Sequence, residues 1–469
     1  MSAIAQYFIA EGNEVFGYDL TPSPITEMLA RKGAIIHFDD NPERIPENID
    51  YVIYTPAVPK SNAEFQYFIT HKIPMYKRSQ VLGKLTEQLP TIAIAGTHGK
   101  TTTTSLVAHL LAPEISIAAF IGGIAKNFDD NLVLGEKPIM AVTEADEFDR
   151  SFLTLHAAVA VITSMDADHL DIYGTREHLV EAFVQYANQS KTLVIEEQVA
   201  HEVTHPQKRV YGFSECCDYY AHHLRTSPNS TIFDLRTPYG LLIDLPLHAN
   251  GRYNVLNATA AIAAILEEQQ RNSKLASVTN KILLDNKLHT FAGVKRRFDY
   301  IIEEGPTIYI DDYAHHPEEM RSFITAVRNA YPERHLCGVF QPHLYSRTQD
   351  FAPAFAEVLS LLDTVILLPI YPAREQPIPG ITSEWLLSLV TTADKRVLQK
   401  EELLPYLEAH RPEILLTIGA GDIDRLVTGI KEVISKPNFH SPFGGFRLPS
   451  ALRDSASGGC DLQIFRPLA

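Results

Sequence analysis

Residues 91–104 have the sequence TIAIAGTHGKTTTT, in which an apolar strand leads through a glycine turn into a helix with an apolar stripe at Leu106, Val107, Leu110 and Leu111. This is the context of a phosphate-binding loop: backbone N–H groups at the helix start face an anion, a lysine adds a point charge, and a hydroxyl can hold Mg²⁺. The strict pattern requires glycine where Ile94 stands, so the loop is a variant. The alternative is a Gly/Thr-rich turn with a solvent-exposed lysine. The candidate residues are Gly96, Thr97, His98, Gly99, Lys100, Thr101 and Thr102.

Composition limits the class of protein. The chain has 469 residues, which suggests about three domains, and 45% hydrophobic and 21% charged residues, which is typical of globular proteins. It has no apolar run of about 18 residues, which predicts no membrane insertion. The net charge of −16 disfavours binding to nucleic acid or anionic lipid. Four cysteines without metal-ligand spacing indicate a reducing compartment, so we expect a cytoplasmic protein.

Strand and helix patterns alternate along the chain, which predicts an α/β protein with parallel sheets covered by helices. We expect a short first domain over 1–90, a central domain over 91–296 and a third, doubly wound domain over 297–436. Residues 437–469 contain repeated Pro, Gly and Ser residues and no sustained helical or strand periodicity, which predicts a poorly ordered tail.

The start of the chain resembles part of a nucleotide-binding unit. Residues 1–11 predict a helix, and residues 14–19 predict a strand that ends in Asp19, which is the second half of a βαβ unit. The strand and glycine loop of the first half are expected before Met1. The alternative is a domain that begins with a helix.

Acidic clusters follow two further predicted strands of the central domain. Residues 144–149 (EADEFD) follow the apolar stretch 139–142, and residues 165–171 (MDADHLD) follow the buried strand predicted within 158–164. Carboxylates are preferred Mg²⁺ ligands, and strand ends of a parallel sheet converge on one crevice. We therefore expect at least one carboxylate of residues 144–149, and His169, near the phosphates. A solvated loop and a core histidine are the alternatives.

Three more clusters lie near and beyond the second domain boundary. Residues 295–299 (KRRFD) form a basic segment that could be only a hinge, while 311–317 (DDYAHHP) and 341–348 (QPHLYSRT) each follow an apolar strand. His343 and Arg347 belong to the last cluster, and an arginine at a strand end can bind a carboxylate or phosphate in bidentate fashion. The glycine turn at 419–422 predicts only a structural role.

Taken in order, these motifs resemble the Mur ligase family over about residues 1–435. The motifs are TPAV at 55–58, GTHGKTTT at 96–103, EADE at 144–147, DHLD at 168–171, GRYNVLNA at 251–258, RRFD at 296–299, DDYAHHP at 311–317, PHLYSRT at 342–348 and YPARE at 371–375. The resemblance implies a Rossmann-like UDP-sugar-binding domain, a central P-loop ATPase domain and a C-terminal Rossmann-like domain that brings in the amino acid. The sequence departs from the family pattern at two places. The family's opening strand and glycine loop are absent here, which implies a truncated first domain. In the PHLYSRT motif, Leu344 stands where many relatives have arginine.

The resemblance also implies residue roles and an activity. Lys100, His169 and Arg297 would be catalytic; Thr101, Glu144 and His169 would hold Mg²⁺. Asn254, Asn257, Arg297 and Asp312 would bind ATP, Asp19 and Thr55 the sugar nucleotide, and Tyr313, His343 and Arg347 the amino acid. The implied reaction is ATP-dependent ligation of L-alanine to the lactyl carboxylate of UDP-N-acetylmuramate through an acyl phosphate. The alternatives are a ligase that recycles a murein tripeptide and a non-catalytic ATP-binding relic.

Overall fold

The structure is a computed structural model that describes residues 1–56, 58–166, 170–227, 229–275, 287–373 and 375–436. The predicted tail over 437–469 and the candidate ligand His169 therefore lie outside the described residues. Among the described residues, no helix combines the length and the apolar character needed to cross a bilayer.

The described residues of the first region form two separate pairs of short parallel strands and four α-helices. Strands β1 (Phe16–Tyr18) and β2 (Ile35–His37) form one pair, and β3 (Val52–Tyr54) and β4 (Met75–Lys77) form the other. The helices are α1 (Ser2–Ala10), α2 (Pro24–Arg31), α3 (Ala63–Thr70) and α4 (Arg78–Gln88). The helix and strand expected over 1–19 are both observed.

Helix α1 attaches this first region to the central sheet. Ala3 and Ile4 are buried in the same apolar cluster as Phe120 and Leu132. Beside them, Gln6 Nε2 donates hydrogen bonds of 2.8 Å and 3.0 Å to the side chains of Asp130 and Asn131. A buried amide satisfied in this way fixes the orientation of the helix as well as its position.

The central region is built on one ten-stranded sheet with the order β14-β13-β12-β11-β10-β9-β5-β8-β6-β7. Its strands are β5 (Thr91–Ala95), β6 (Ile117–Ala125), β7 (Asp130–Leu134), β8 (Met140–Glu144), β9 (Val159–Ile162), β10 (Thr192–Glu196), β11 (Lys208–Gly212), β12 (Tyr219–Ser227), β13 (Ser230–Thr237) and β14 (Gly240–Leu247). The helices are α5 (Lys100–Leu111), α6 (Leu170–Tyr173), α7 (Arg176–Asn188) and α8 (Arg252–Arg271).

Both edges of this sheet differ from the all-parallel sheet that the sequence predicted. Strand β7 pairs antiparallel with β6, and β12, β13 and β14 form two antiparallel hairpins. The connections at these edges are short, and short connections usually join antiparallel neighbours, because a parallel pair ordinarily needs a longer crossover. The expected parallel arrangement holds for β5, β6, β8, β9, β10 and β11.

Strand β5 is buried on both faces. Ile92 and Ile94 face the apolar cluster that contains helices α5 and α8, whereas Ala93 and Ala95 face the cluster that contains α7. Alternate side chains of a strand point to opposite faces, so a strand between two helical layers is apolar throughout. The strand is therefore rigidly held at the point where the phosphate loop begins.

The third region is a six-stranded sheet with the order β15-β16-β20-β17-β18-β19, antiparallel only between β15 and β16. Its strands are β15 (Asp299–Ile302), β16 (Ile308–Asp312), β17 (Leu336–Phe340), β18 (Thr364–Leu367), β19 (Asp394–Val397) and β20 (Ile414–Ile418). The helices are α9 (Pro317–Ala330), α10 (Tyr345–Asp350), α11 (Ala352–Leu359), α12 (Ser383–Leu389), α13 (Lys400–Ala409) and α14 (Val427–Ser435).

Candidate active site

Two glycines shape the loop between β5 and α5. Gly96 has φ +136°, and a Cβ there would lie 2.1 Å from Thr163 Oγ1; Gly99 has φ +81°, and a Cβ there would lie 2.5 Å from Asn257 Oδ1. Only glycine satisfies both the conformation and the close approach. Gly99 is the N-cap residue of α5 and provides no side-chain cap, so the cap leaves the first N–H groups of the helix available to an anion.

The loop is joined to the end of strand β9. The backbone N–H of His98 donates to Ser164 Oγ at 2.9 Å, and Thr97 Oγ1 lies 2.8 Å from the same hydroxyl. Thr97 Oγ1 also accepts the backbone N–H of Asp166 at 3.1 Å. These bonds hold the loop before any phosphate binds, which reduces the entropy lost on binding.

Lys100 is held by a buried carboxylate. Its Nζ donates to Gly96 O at 2.6 Å and to the two oxygens of Glu147 at 2.9 Å and 2.8 Å. Burial alone would lower the pKa of Lys100, but the carboxylates of Glu147 and Asp146 outweigh it and raise the pKa. The lysine is therefore a fixed cation beneath the loop, suited to neutralising phosphate charge.

Thr101 and Glu144 lie next to each other at the ends of α5 and β8. Glu144 Oε1 accepts the backbone N–H of Gly122 at 2.6 Å, and its carboxylate also interacts with the hydroxyl of Thr101. Burial raises the pKa of Glu144. A half-buried carboxylate beside a hydroxyl at a helix N-terminus is an all-oxygen set that fits Mg²⁺. A divalent cation there would offset the cost of keeping the carboxylate ionised.

His98 connects the loop to the third region. Its Nδ1 lies 3.1 Å from Glu319 Oε1, on the first turn of α9, and its Nε2 lies 3.3 Å from Asp166 Oδ2. Burial alone would lower the pKa of His98, but the two carboxylates raise it to about 9. The imidazole is therefore protonated at neutral pH and pairs with acids from two regions.

A cleft beside the phosphate loop, here called the nucleotide cleft, encloses about 30 Å³, so a base and ribose would require it to open. It lies between the start of α5, the start of α8 and the segment that leads into β15. Its lining includes Thr102, Asn254, Phe291, Arg297 and Tyr300. Apolar side chains such as Phe291 and polar or charged ones such as Asn254 and Arg297 share the lining, which therefore offers contacts for both a base and a phosphate.

The two asparagines of α8 take different positions. Asn254 lines the cleft, and its Nδ2 donates to Asn250 O at 2.7 Å. Asn257 lies one turn further along the helix, under the phosphate loop, where its Oδ1 accepts from Thr103 Oγ1 at 3.3 Å. The structure thus brings both to the nucleotide region, with Asn257 nearer the loop.

The double arginine packs on Tyr313. The guanidinium groups of Arg296 and Arg297 lie 5.2 Å and 5.0 Å from the centre of that ring. Arg296 also pairs with Asp311 at 3.2 Å. The segment is therefore more than a basic hinge: Arg297 lines the nucleotide cleft on one side and contacts a candidate amino-acid residue on the other.

Asp312 has partners that the sequence did not indicate. Its carboxylate accepts the backbone N–H groups of Phe298 at 2.6 Å and of Ala314 at 2.8 Å. Burial raises the pKa of Asp312 to about 7, although Arg297 and these two N–H groups act in the opposite direction. In this conformation the carboxylate joins the segment before β15 to the end of β16.

A third cluster lies at the ends of β16 and β17. The ring of His343 stacks on Tyr371, with centres 5.7 Å apart, and lies 6.1 Å from that of His315. Burial, with His315 and Arg347 nearby, lowers the pKa of His343 to about 4. This places a neutral imidazole and an arginine near Tyr313, whose ring is 5.4 Å from that of His315.

The remaining candidates lie in the first region. Asp19 follows β1 and is exposed, and Thr55 follows β3 and is half-buried. The side chain of Asp19 accepts the backbone N–H of Thr21 at 3.3 Å.

Sequence reasoning missed Glu147, Asp166 and Glu319 as site residues. Glu147 and Asp166 stand inside acidic clusters that the sequence singled out, so their residue type was visible but their partners were not. Glu319 follows the twin histidines by a few residues and carries no motif of its own. Its contact with His98 spans 221 positions in the sequence, and only the packing of two regions shows it.

The fold and this site define a class: three-part α/β proteins in which a nucleotide-binding loop of the central sheet faces a second, Rossmann-like sheet. Three family models match successive parts of the chain: "Mur ligase family, catalytic domain" over 1–89, "Mur ligase middle domain" over 94–265, and "Mur ligase, glutamate ligase domain" over 296–421. The chain belongs to the Mur ligase family.

Similar proteins cover nearly the whole chain. The UDP-N-acetylmuramate--L-alanine ligase of Flavobacterium johnsoniae is 42% identical over 93% of this chain and 96% of its own length. The protein of the same name from Parabacteroides distasonis is 43% identical over 93% of this chain and 95% of its own. Among solved structures, the UDP-N-acetylmuramate-alanine ligase of Thermotoga maritima matches with a TM-score of 0.76 at 26% identity, covering 92% of this chain and 96% of that one.

Proposed function

We propose that this chain is an ATP-dependent ligase that joins L-alanine to the lactyl carboxylate of UDP-N-acetylmuramate, in the synthesis of peptidoglycan precursors in the cytoplasm. The observation that carries the proposal is the 42–43% identity to two ligases of that name, which extends over 93% of the chain. The fixed lysine, the Thr101–Glu144 pair and the nucleotide cleft supply the chemistry that such a reaction needs.

The chemistry begins from an unreactive carboxylate. An amine does not displace oxygen from a carboxylate, because the carbon is electron-rich and the oxygen is a poor leaving group. Transfer of the γ-phosphoryl group of ATP to a carboxylate oxygen gives an acyl phosphate and ADP. The amine of L-alanine then attacks the acyl carbon, the C–O bond to phosphate breaks, and inorganic phosphate and a proton are released with the amide.

Charge neutralisation is the main task of the phosphate loop. We assign the backbone N–H groups of Gly99, Lys100, Thr101 and Thr102 and the Lys100 ammonium to the phosphates, because they lie together at the start of α5. The N–H groups of Thr97 and His98 instead donate to Ser164 and hold the loop in place. Bound Mg²⁺ would neutralise phosphate charge and orient the transferred group. Thr101 and Glu144 are the described residues that would hold it, and by family resemblance His169 would join them.

The nucleotide residues follow from the cleft. Asn254, which lines the cleft, would bind the adenine, and Arg297 would reach the phosphates from the segment before β15. Asn257 lies under the phosphate loop and is assigned to the adenine by family resemblance alone. Asp312 is assigned to the ribose by family resemblance alone. Since its carboxylate is bound to two backbone N–H groups, this role requires the segment to shift when ATP binds.

The amino-acid residues lie at the ends of β16 and β17. Arg347 would pair with the carboxylate of L-alanine, and Tyr313 and His343 would border its amine. A neutral His343 suits this position, because a protonated imidazole would repel an incoming ammonium group. Asp19 and Thr55 would contact the sugar nucleotide.

The test is a ligation assay on the full chain with ATP, Mg²⁺, UDP-N-acetylmuramate and L-alanine. We expect phosphate release that depends on both substrates, and a product whose mass equals the two joined with loss of water. Lys100→Met should remove this activity, whereas Lys208→Met, at a lysine that also binds backbone carbonyls, should retain it. Phosphate release without L-alanine, or ligation of a tripeptide in its place, would contradict the proposal.

No observation favours the alternatives. A murein peptide ligase from Psychrobacter arcticus has the same fold, with a TM-score of 0.64, at only 20% identity. A non-catalytic relic would have no need of the Lys100–Glu147 ion pair or of a carboxylate kept beside Thr101.

A further inference from the structure

We propose that His222, His223 and Asp234 form a binding site for one divalent transition-metal cation, of the Zn²⁺, Ni²⁺ or Cu²⁺ type, on the outer hairpins of the central sheet. One ligand atom from each residue lies within 4.8 Å of those of the other two. In a tetrahedral site with metal–ligand distances near 2.1 Å the ligand atoms are roughly 3.4 Å apart, so small side-chain rotations would bring these three atoms to binding distance.

An irregularity in strand β12 brings the two adjacent histidines together. His222 stands opposite Asp234 in the ladder, and the register between β12 and β13 shifts between His222 and Arg225. In a regular strand the next side chain would point to the other face of the sheet. His223 instead has φ +51°, and its Nδ1 lies 2.9 Å from Asp234 Oδ2. The bulge therefore directs both imidazoles to one carboxylate.

Neighbouring groups fix the orientation of the ligands. The ring of Tyr220 stacks on His222, with centres 4.7 Å apart and planes at 20°. Asp234 Oδ1 accepts the backbone N–H of Asp244 at 2.9 Å, which leaves Oδ2 directed at the histidines. Such outer contacts, which hold a ligand in place without touching the metal, are typical of protein metal sites.

The local charge permits a cation. Asp234 and Asp244 provide two negative charges, while Arg225 and Arg236 carry positive charge nearby; the Arg236 guanidinium lies 5.2 Å from the Tyr220 ring and donates to Cys217 O at 3.3 Å. Arg225 makes its close ion pair with Asp244, while its Nη2 is 3.9 Å from Asp234 Oδ1. The carboxylate of Asp234 is therefore still available as an anionic ligand for a metal.

The donor set selects the kind of cation. Two imidazole nitrogens and one carboxylate oxygen suit Zn²⁺, Ni²⁺ and Cu²⁺, whereas Mg²⁺ prefers an all-oxygen set. The site is also separate from the proposed catalytic one. Strand β12 is four strands from β5 in the sheet, which corresponds to about 19 Å at the usual strand spacing.

The experiment is a competition titration of Zn²⁺ between a chromophoric chelator and the full chain, with excess Mg²⁺ and a non-hydrolysable ATP analogue present to occupy the nucleotide site. We expect one equivalent of Zn²⁺ to bind and its affinity to fall at least about tenfold in His222→Ala and in His223→Ala. The matched control is His201→Ala, because that side chain is 74% exposed beside Glu202 much as His223 is 73% exposed beside Asp234. The control should bind Zn²⁺ as the unchanged chain does.

A second measurement identifies the ligands directly. The electron paramagnetic resonance spectrum of bound Cu²⁺ should show coupling to two imidazole nitrogens in the unchanged chain and to one in His223→Ala. Circular dichroism of each variant confirms that it is folded. The proposal is overturned if no saturable binding is found, if both histidine variants bind as the unchanged chain does, or if His201→Ala weakens binding equally.

Discussion

Nδ1 of His98 lies 3.1 Å from Oε1 of Glu319, so a residue of the phosphate loop is in contact with the first turn of helix α9 in the third region. The same carboxylate accepts the backbone N–H groups of His315 and His316 through Oε2, at 2.9 Å and 3.2 Å. One side chain therefore caps the helix and joins it to the loop. Any movement of the third region relative to the central sheet must break or remake this contact.

The first prediction concerns the charge of His98. Its pKa is raised to about 9 in the folded protein, against an ordinary value of 6.5. The ion pair therefore stabilises the fold fully below about pH 6.5, and this contribution is lost as pH rises through about 9. Glu319→Gln removes one of the two carboxylates, so we expect a lower pKa for His98, measured by NMR titration of its ring.

The control for this prediction is Glu318→Gln, one residue earlier, whose carboxylate is exposed and pairs with Arg321. It should leave the pKa of His98 unchanged. If His98 titrates alike in Glu319→Gln and in the unchanged chain, the contact between the two regions is not formed in solution.

A second prediction separates stability from activity at Lys100. Its ion pair with Glu147 is buried, with side-chain exposures of 16% and 1%. Lys100→Met removes the cation from a buried carboxylate, which should cost about 3–5 kcal/mol of unfolding free energy and abolish ligation. The double variant Lys100→Met/Glu147→Leu should recover most of that stability but no activity. Urea unfolding and phosphate release measure the two effects; a double variant no more stable than the single one would argue against a buried pair.

Removing one hydroxyl should weaken the Mg²⁺ requirement selectively. Thr101→Val keeps the shape of the side chain but removes the group that lies beside Glu144. We expect the Mg²⁺ concentration for half-maximal activity to rise about 10- to 100-fold. Thr104→Val is the matched control, because the buried Thr104 hydroxyl has no hydrogen-bond partner among the described residues. Equal Mg²⁺ dependence in the two variants would count against Thr101 as a ligand.

The conformation of the loop leads to a fourth prediction. Gly96→Ala would place a Cβ 2.1 Å from Thr163 Oγ1 and force the loop away from the end of β9. We expect ATP affinity to fall by about tenfold or more, measured by calorimetry, since a small misplacement of the loop is costly. Gly380→Ala has a similarly unfavourable φ of +85° but open space around it, so it should cost only about 1 kcal/mol of stability and leave ATP affinity intact.

Local sequence patterns accounted for most of the framework. The apolar strand predicted before the phosphate loop is observed as β5 (Thr91–Ala95), and the strands predicted before residues 311–317 and 341–348 are observed as β16 (Ile308–Asp312) and β17 (Leu336–Phe340). These elements are buried on one or both faces, so their hydrophobic pattern is strong. The hairpins formed by β12, β13 and β14 were not predicted, because these strands are partly exposed and their hydrophobic alternation is weak.

The sequence by itself determined the phosphate loop, since glycine, lysine and threonine at fixed spacing after a buried strand act through neighbouring backbone atoms. It also indicated which strands carry acids and histidines at their ends. Only the tertiary structure decided that Lys100 pairs with Glu147, that Asp312 binds backbone N–H groups, and that Glu319 reaches His98. Such contacts join residues up to 221 positions apart, and their strength depends on burial and on distances of about 3 Å, which the packing of sheets and helices sets.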